Sequence, residues 1–320
     1  MNQYRTATIP IFTIGEMKRM AKKQLSGKWL RLLPLMLIYT LLTTVPAVVI
    51  QLNSYMTQTS QLNSMLASEG SATSEMISDM LTSMQTSPAA GMTTFGLIAS
   101  ALALYTFLTA GAFSVSLSGL SLRILRNEPF SVRTIFAGFT QYGKAFIANL
   151  LVSIFSVLWA LLFILPGSFF LGMGTVSGSP IATFLSFMVF TGLLLAAVIF
   201  LMRYQMTFFI AADEDCTGSE CVSRSVRLMK GNISNFFLLQ LSFLPWILLL
   251  CVPVGLAAGA AFTAVSASSS SAAIFPAVLA VIFGIISLFG EMLLILYMQT
   301  ASAVFYSGAT GNFRSSGSGG

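Results

Sequence analysis

The carboxylate of Glu291 has the clearest chemical potential in this sequence, because it interrupts a long apolar run, Gly290-Glu-Met-Leu-Leu-Ile-Leu-Tyr. An ionisable group at membrane depth costs roughly 3 kcal/mol unless it is paired, protonated or in contact with water, so Glu291 is a candidate proton or cation site. The alternative is a structural glutamate that hydrogen-bonds a neighbouring helix or lies near the inner interface, where Arg203 is the expected partner. Interhelical hydrogen bonding explains the other polar residues of the apolar runs, which are Asn149, Gln240 and Gln299.

Catalytic and metal sites of the usual kinds are not predicted, because the chain of 320 residues contains no histidine. Its cysteines, Cys216, Cys221 and Cys251, are odd in number and lack CxxC spacing, so they predict neither a disulfide framework nor a zinc site. The acidic run Asp213–Asp215 has too few ligands for a divalent cation and is interpreted as a solvated loop. Gly172–Gly178 lacks the lysine of a phosphate loop, so no nucleotide is expected. The protein is predicted to be no enzyme and to hold no cofactor.

The elements that hold these residues are predicted to lie in a membrane. Apolar residues make up 56% of the chain and charged residues 8%, whereas a soluble domain carries about 25% charged residues. A helix of about 20 apolar residues crosses a hydrocarbon core about 30 Å thick. Six stretches reach this length, near Leu32–Ile50, Thr94–Leu120, Ala145–Leu165, Ile181–Met202, Phe236–Ala258 and Ile274–Tyr297. None alternates as a β-barrel strand would, so the predicted fold is an all-α membrane protein with six transmembrane helices.

The basic residues predict the orientation of these helices. All 16 Lys and Arg fall on one side of the six spans, and the first loop on the other side carries Glu69, Glu75 and Asp79. The positive-inside rule therefore predicts a multi-pass protein of the cell membrane with both termini in the cytoplasm. The expected partner of this charge is the anionic lipid of the inner leaflet, and not nucleic acid.

Two similar amphipathic segments precede the first and fifth spans. Thr13–Gly27 and Thr217–Gly231 each open on a Thr-x-x-Glu capping box and close on a glycine 14 positions later. Ser131–Gly143 is predicted to form a shorter version before the third span. We interpret all of these as helices in the cytoplasmic interface. Their candidate lipid-headgroup contacts are Lys18, Arg19, Lys22, Lys23, Arg224, Arg227 and Lys230.

The spans that follow also match in spacing, since Gly143 to Gly167 and Gly231 to Gly255 are both 24 positions. We therefore predict one membrane domain, 1–320, built from three parallel hairpin repeats, each preceded by a cytoplasmic amphipathic interfacial helix. The units are residues 1–122, 123–202 and 203–306, followed by a flexible tail, 307–320. The alternative is that there is no repeat, and that the three basic linkers arise only because the topology requires basic residues on the cytoplasmic side of the spans.

Two further segments have open interpretations. The outer segment 51–91 is rich in Ser, Thr, Gln and Met, with Met76, Met80 and Met84 on one helical face. It is either a lid or partner-binding helix, or a helical extension of the first two spans. Gly255 and Gly259 form a GxxxG motif, which predicts close packing within the chain or, as the alternative, dimerisation.

Several blocks of the chain resemble a bacterial multi-pass membrane family catalogued as domain of unknown function 975. The blocks are Glu16–Trp29, Phe136–Ala145, Ile164–Gly167, Arg227–Asn232 with the LSFLPWILL that comes soon after, and Tyr297–Tyr306. The resemblance implies the location and the fold, but it supplies no activity or catalytic residues. Two stretches depart from the family pattern, which are the outer segment 51–91 and an extra loop at Leu171–Pro180.

Two classes of function remain open from the sequence. The leading hypothesis is a small transporter, channel or exporter-like module of unknown substrate. The alternative is a scaffold or regulatory subunit that binds another membrane protein, or a second copy of itself, together with anionic lipid. A water-accessible cavity at Glu291 would favour the first, and a solid core with an exposed apolar groove would favour the second.

Overall fold

The computed structural model describes residues 13–68, 94–265 and 270–311, and no β-strand occurs within these ranges. Its helices are α1 (Ile14–Leu25), α2 (Trp29–Ser68), α3 (Thr94–Leu125), α4 (Val132–Ile135), α5 (Ala137–Thr140), α6 (Tyr142–Val176), α7 (Pro180–Leu201), α8 (Thr207–Asp213), α9 (Gly218–Met229), α10 (Ile233–Leu241), α11 (Leu244–Val265) and α12 (Ser270–Ala309). A short 3₁₀ helix, Met202–Tyr204, joins α7 to α8. The all-α prediction is confirmed for the described residues.

Six helical segments of the described chain are long and apolar enough to cross a membrane. They are Trp29–Gln51, Gly96–Leu125, Tyr142–Val176, Pro180–Asp213, Ile233–Ala261 and Ile274–Ala309. Each corresponds to one predicted span. α2 continues without a break to Ser68, so the first part of the outer segment 51–91 is a helical extension of the first span. The methionine face at Met76–Met84 lies outside the described residues.

The chain divides into two compact units. The smaller unit, Ile38–Ala110, holds most of α2 and the first half of α3. Within it the Tyr105 hydroxyl donates to the carbonyl oxygen of Leu42 at 3.4 Å, which joins the two helices. The larger unit comprises Met1–Leu37 and Gly111–Gly320. The predicted hairpin units are a different division of the chain and stay a prediction.

In the larger unit, α6 packs along α7 and α11 packs along α12. Its core lies at the end of the unit that carries the basic residues, where α1, α8, α9, α10 and the last turns of α12 meet. The largest fully buried side chains there include Tyr306, Phe236 and Phe243. α12 continues as a helix to Ala309, so the first residues of the predicted tail are ordered helix, and residues 312–320 lie outside the described part.

The caps of the two amphipathic entry helices are confirmed. Thr13 and Glu16 form a capping box on α1, and Thr217 and Glu220 form another on α9. Hydrogen bonds from the Thr13 backbone and side chain hold the pKa of Glu16 below its usual range. The glycines that follow, Gly27 and Gly231, have φ of +79° and +87°, values at which a Cβ is strained.

The apolar face of α1 is covered by the protein itself, because α1 packs on α12 and α10. Met17, Ala21 and Leu25 on this face are buried without any contribution from a membrane. The prediction that α1 lies in the lipid interface therefore needs a correction: its apolar face is part of the core, and its charged face is the one left to the surroundings.

The predicted third entry helix, Ser131–Gly143, is wrong as a single helix. The segment forms two separate turns, α4 and α5, and Gly143 lies inside the first turn of α6. A close contact with α3 explains the interruption, because the Gly138 N–H donates to the Ser116 hydroxyl at 2.8 Å. A Cβ at Gly138 would overlap the carbonyl oxygen of Ala112, so the chain bends to reach α3.

The predicted loop Leu171–Pro180 is also wrong, since α6 stays helical to Val176. Packing against α7 holds these last turns, because a Cβ at Gly174 would overlap the Ser186 side chain. The hydroxyl of Thr183 donates to the carbonyl oxygen of Gly174 at 3.0 Å. The glycine-rich stretch is therefore helix in close contact with α7 as far as Val176, and only residues 177–179 connect the two helices.

Candidate functional site

A buried polar hub occupies the core of the larger unit, centred on Tyr306. Its ring is fully buried and stacks on Phe209 with 5.8 Å between the centroids. The hydroxyl lies 3.4 Å from Asp213 Oδ2 and 3.3 Å from Glu214 Oε1, and it can donate to either carboxylate. A buried tyrosine hydroxyl needs such a partner, so α12 is tied to the end of α8.

Two arginines hold the carboxylates of the hub from the other side. Arg126 Nη2 lies 2.6 Å from Asp213 Oδ1, and Arg224 Nη1 lies 2.5 Å from Glu214 Oε2. The hydrogen bond with Asp213 raises the pKa of Arg126. We call Arg126, Asp213, Glu214, Arg224 and Tyr306 the Tyr306 hub, and its charges are balanced. It joins the segment after α3 to α8, α9 and α12.

The interpretation of Asp213–Asp215 as a solvated loop is therefore wrong for Asp213 and Glu214, whereas Asp215 is exposed as expected. The Asp213 side chain is only 11% exposed and that of Glu214 only 22%. Because α8 ends at Asp213 and the chain turns extended at Glu214, the two consecutive carboxylates point to different arginines. Sequence reasoning missed this because the paired arginines are far from the acidic run or on another helix.

The cysteine interpretation is also corrected at this place. Cys216 and Cys221 are joined by a disulfide that links the segment before α9 to its first turn, and Cys251 is free and exposed. Five positions of separation across a helix start bring the two side chains together. An odd number of cysteines does not prevent one local pair.

Three lysines donate to backbone carbonyl oxygens of the larger unit. Lys28 Nζ lies 3.3 Å from the oxygen of Ile124, in the last turn of α3, and 2.7 Å from Asn127 Oδ1. Lys144 Nζ lies 2.7 Å from the oxygen of Glu214. Lys18 makes the third contact. A cation at a helix C-terminus satisfies carbonyl groups that have no helical donor, so these lysines stabilise helix ends.

Lys18 occupies a break in the fifth predicted span, which is two helices and not one. Pro245 has no N–H, and the Trp246 N–H donates to the oxygen of Phe243, so the oxygen of Ser242 has no helical donor. Lys18 Nζ fills this position at 2.6 Å and lies 4.4 Å from the centre of the Phe243 ring. Burial lowers the pKa of Lys18.

The remaining predicted headgroup contacts divide into two groups. Arg224 belongs to the Tyr306 hub and Lys18 to the helix break, so both side chains are used inside the protein. The others are exposed and make no hydrogen bond or ion pair with the described residues; they are Arg19, Lys22, Lys23, Arg227 and Lys230. Of the seven predicted headgroup contacts, these five keep a charged group that can bind lipid.

The intramembrane polar residues form no common site in the described part of the chain. Glu291 is partly exposed on α12 and pairs with no described residue, and the expected contact with Arg203 is not formed. Arg203 instead lies over the Phe200 ring at 4.6 Å. Gln240 Nε2 donates to the Ser302 hydroxyl at 3.3 Å.

Some buried polar atoms have no partner among the described residues. They include the side-chain oxygens of Gln240 and Gln299 and Nε of Arg203. Asn149 lies at the contact of α3 with α6, where a Cβ built at Gly111 would be 2.8 Å from the Cβ of Asn149.

The GxxxG motif of α11 makes no close contact in the described residues. Nothing lies within 4 Å of a Cβ built at Gly255 or Gly259. Close contacts occur instead at other glycines of the described chain. A Cβ at Gly111 would overlap the carbonyl oxygen of Ala145, and one at Gly218 would be 2.8 Å from Ile147. Packing within the chain is thus absent at the motif, and dimerisation there stays a prediction.

An apolar cleft of about 470 Å³ lies between α11 and α12, next to the end of α1. We call it the α11–α12 cleft. Glu291 is not among its lining residues, although its neighbour Gly290 is. The charged residue in its wall is Lys22, and the aromatic residues are Trp29, Trp246 and Tyr297. No group of three His, Cys, Asp or Glu side chains that could hold a metal occurs in the part of the chain that the structure describes.

The six long apolar helices of the described chain indicate the class of the molecule, a multi-pass helical membrane protein. The chain belongs to the family described as "Protein of unknown function (DUF975)", which it matches over residues 12–312. The comparison with curated proteins and the comparison with solved structures returned no match.

Proposed function

We propose that the protein is a non-enzymatic scaffold or regulatory subunit of the bacterial plasma membrane, which binds another membrane protein and anionic lipid. The observation that carries this proposal is the contrast between its two surfaces. In the most apolar stretch of each of the six described spans, only 6 to 22% of the residues are buried. At the basic end of the larger unit, by contrast, the helices pack into a solid core. In a membrane the exposed helix faces are covered by lipid or by another protein, and a rigid base suits a protein that presents such faces to a partner.

The proposed orientation has both termini in the cytoplasm. Its support is the placement of all 16 basic residues on one side of the spans. The exposed cations Arg19, Lys22, Lys23, Arg227 and Lys230 then lie at an anionic leaflet. The arrangement that we propose for the spans is three parallel hairpins, supported by the matching caps of α1 and α9.

The partner role can be tested by photo-crosslinking in intact membranes. Benzoylphenylalanine replaces Leu161, which is 54% exposed on α6, or Phe236, which is 1% exposed and serves as the matched buried control. We expect a discrete adduct with a second membrane protein from position 161, and adducts within the chain from position 236. Adducts with lipid alone from position 161, and from further exposed positions of α6 and α7, would contradict the partner role.

A transporter is the second candidate, and one observation favours it. Glu291 is a partly buried carboxylate in a predicted span that pairs with no described residue, which leaves it available to bind a proton or a cation. The apolar lining of the α11–α12 cleft, from which Glu291 is absent, argues against a polar pathway.

Glu291→Gln separates the two candidates. The purified protein is reconstituted in proteoliposomes, and proton and cation flux are measured with wild type and variant. A flux that the wild type supports and Glu291→Gln abolishes would establish the transporter. We expect no flux from either protein.

A further inference from the structure

We propose that the α11–α12 cleft binds one acyl chain of an anionic phospholipid, whose phosphate pairs with Lys22. This inference rests on the orientation given under the proposed function, with the basic ends at an anionic leaflet. It adds a defined site to the general attraction between basic residues and lipid.

Two helical stripes form the walls of the cleft. Trp246, Leu249, Leu250 and Pro253 follow the i, i+3, i+4, i+7 spacing of one helix face on α11. The residues from α12 lie on one face in the same way, from Ile286 to Tyr297. The two faces therefore line the cleft with apolar side chains along both helices.

Gly290 lines the cleft at the point where Leu250 of α11 packs on α12. A Cβ at Gly290 would lie 2.5 Å from Leu250 Cδ1, so any side chain here would push Leu250 and enter the cleft. The cleft volume of about 470 Å³ is within the range of about 300–1,000 Å³ found for small-ligand sites.

The length of the cleft corresponds to one leaflet. Ile286 and Tyr297 are 11 positions apart on α12, which at 1.5 Å per residue is about 16 Å along the axis. One half of a hydrocarbon core is about 15 Å. A chain that enters at Tyr297 would therefore end near Ile286 and Pro253, at the middle of the membrane.

The charge and the aromatic residues stand at the end where a headgroup would lie. The Tyr297 hydroxyl donates to the carbonyl oxygen of Lys18 at 3.4 Å, which places this end of α12 against α1. Lys22 follows Lys18 by one helical turn and lines the cleft. Lys18 itself is engaged by Ser242, so Lys22 is the cation that remains for a phosphate. Trp and Tyr side chains prefer this interfacial level, which suits Trp29 and Trp246.

Fluorescence quenching by brominated lipid tests the proposal with purified full-length protein. The Trp159→Phe background leaves Trp29 and Trp246, both in the cleft wall, as the reporters. The protein is reconstituted in phosphatidylcholine vesicles that contain increasing amounts of phosphatidylglycerol with brominated acyl chains, or of phosphatidylcholine with the same chains. We expect brominated phosphatidylglycerol to quench at a several-fold lower mole fraction.

Two matched pairs of variants locate the site. Lys22→Gln should lose the several-fold preference for phosphatidylglycerol, whereas Lys23→Gln, at an equally exposed neighbour, should keep it. Gly290→Leu should fill the cleft and reduce quenching by both lipids. Gly284→Leu, on the same helix with nothing within 4 Å of its Cβ, should leave the quenching unchanged. If Gly290→Leu does not fold, the lysine pair still decides.

Equal quenching by the two lipids would overturn the proposal. An equal loss of the preference for phosphatidylglycerol in Lys22→Gln and Lys23→Gln would also overturn it, because such a result indicates that the basic surface as a whole attracts the lipid. Benzoylphenylalanine at Leu249 in the cleft wall gives a second readout in cell membranes. Its capture of a protein helix in place of lipid would also overturn the site. The scaffold role is tested separately at Leu161, so either proposal can fail while the other stands.

Discussion

Lys18 donates a hydrogen bond from its ammonium group to the carbonyl oxygen of Ser242, at 2.6 Å and across 224 positions of sequence. The contact joins the first helix of the described chain to the break between α10 and α11. The break leaves this oxygen without a helical donor, and the Phe243 ring supplies a further contact to the same ammonium. A basic side chain of the kind expected to face lipid thus stabilises an interrupted membrane span.

Replacing Lys18 by Met should lower the free energy of unfolding by about 1–2 kcal/mol, because the carbonyl oxygen of Ser242 loses its donor while the apolar stem is kept. Lys23→Met is the matched control on the exposed side of α1. Unfolding is followed by circular dichroism during titration of detergent micelles with a denaturing detergent. Equal effects of the two substitutions would show that the contact contributes nothing specific.

The Arg126–Asp213 pair of the Tyr306 hub should show a coupling energy of about 1–2 kcal/mol in a double-mutant cycle of Arg126→Gln and Asp213→Asn. The Asp213 side chain is 11% exposed and loses its cation in the first variant, whereas Arg126 is 35% exposed and keeps access to solvent. We therefore expect Arg126→Gln to be the more destabilising single substitution.

Arg123→Gln, at an exposed arginine near the end of α3, is the control for the loss of charge alone. It should leave the free energy of unfolding unchanged. A coupling energy of zero between Arg126 and Asp213 would show that the pair contributes no more to stability than an exposed surface contact.

Leucine at Gly111 should be far more harmful than leucine at Gly255. A Cβ at Gly111 would overlap the backbone of Ala145 on α6, and backbone cannot move aside as a side chain can, so we expect a loss of about 3 kcal/mol or failure to fold. Nothing lies within 4 Å at Gly255. Thermal unfolding in detergent compares the two variants, and similar melting temperatures would contradict the α3–α6 contact.

The same Gly255→Leu variant reports on dimerisation. Light scattering of the detergent-solubilised protein should give the same mass for wild type and variant if α11 faces lipid. A dimer that is present in the wild type and lost in Gly255→Leu would instead assign the GxxxG motif to an interface between two copies.

The Cys216–Cys221 disulfide predicts a thiol count. The unfolded, unreduced protein should react with one maleimide per chain, at Cys251, and with three after reduction. Mass spectrometry of the labelled chain measures both values. Three labels before reduction would mean that the cysteines are reduced in the cell, as is usual for thiols exposed to cytosol.

The local features of this fold could be predicted from the sequence, because they depend on near neighbours. A capping box needs a threonine and a glutamate three positions apart, and both boxes, at Thr13 and Thr217, form as predicted. The spans followed from the length of apolar runs, since a helix in lipid must satisfy its own backbone. A close glycine contact such as Gly111 against Ala145 carries no such local signal, because its partner is on another helix.

Several of the misread residues have partners that are distant along the chain. Asp213 and Glu214 read as a solvated acidic loop, yet Arg126 from the segment after α3 and Tyr306 from α12 reach them. Gly143 read as a helix stop by analogy with Gly231, but it lies within a helix because the preceding turns are drawn to α3 at Gly138. In each case the local sequence is compatible with more than one conformation, and a contact with a residue far along the chain selects one of them.

The sequence by itself therefore determined the class of the protein, the positions of its spans and the caps of its entry helices. The tertiary structure decided what each charge does. Lys18 and Lys22 are the same residue type, one turn apart on one helix, and no pattern along the chain separates them. Lys18 donates to the carbonyl oxygen of Ser242, which has no helical donor because the helix is interrupted there. Lys22 lines the α11–α12 cleft and is exposed. The reason is physical: a charged side chain goes where its hydrogen bonds can be satisfied, and for these two lysines that depends on helices more than 200 residues away.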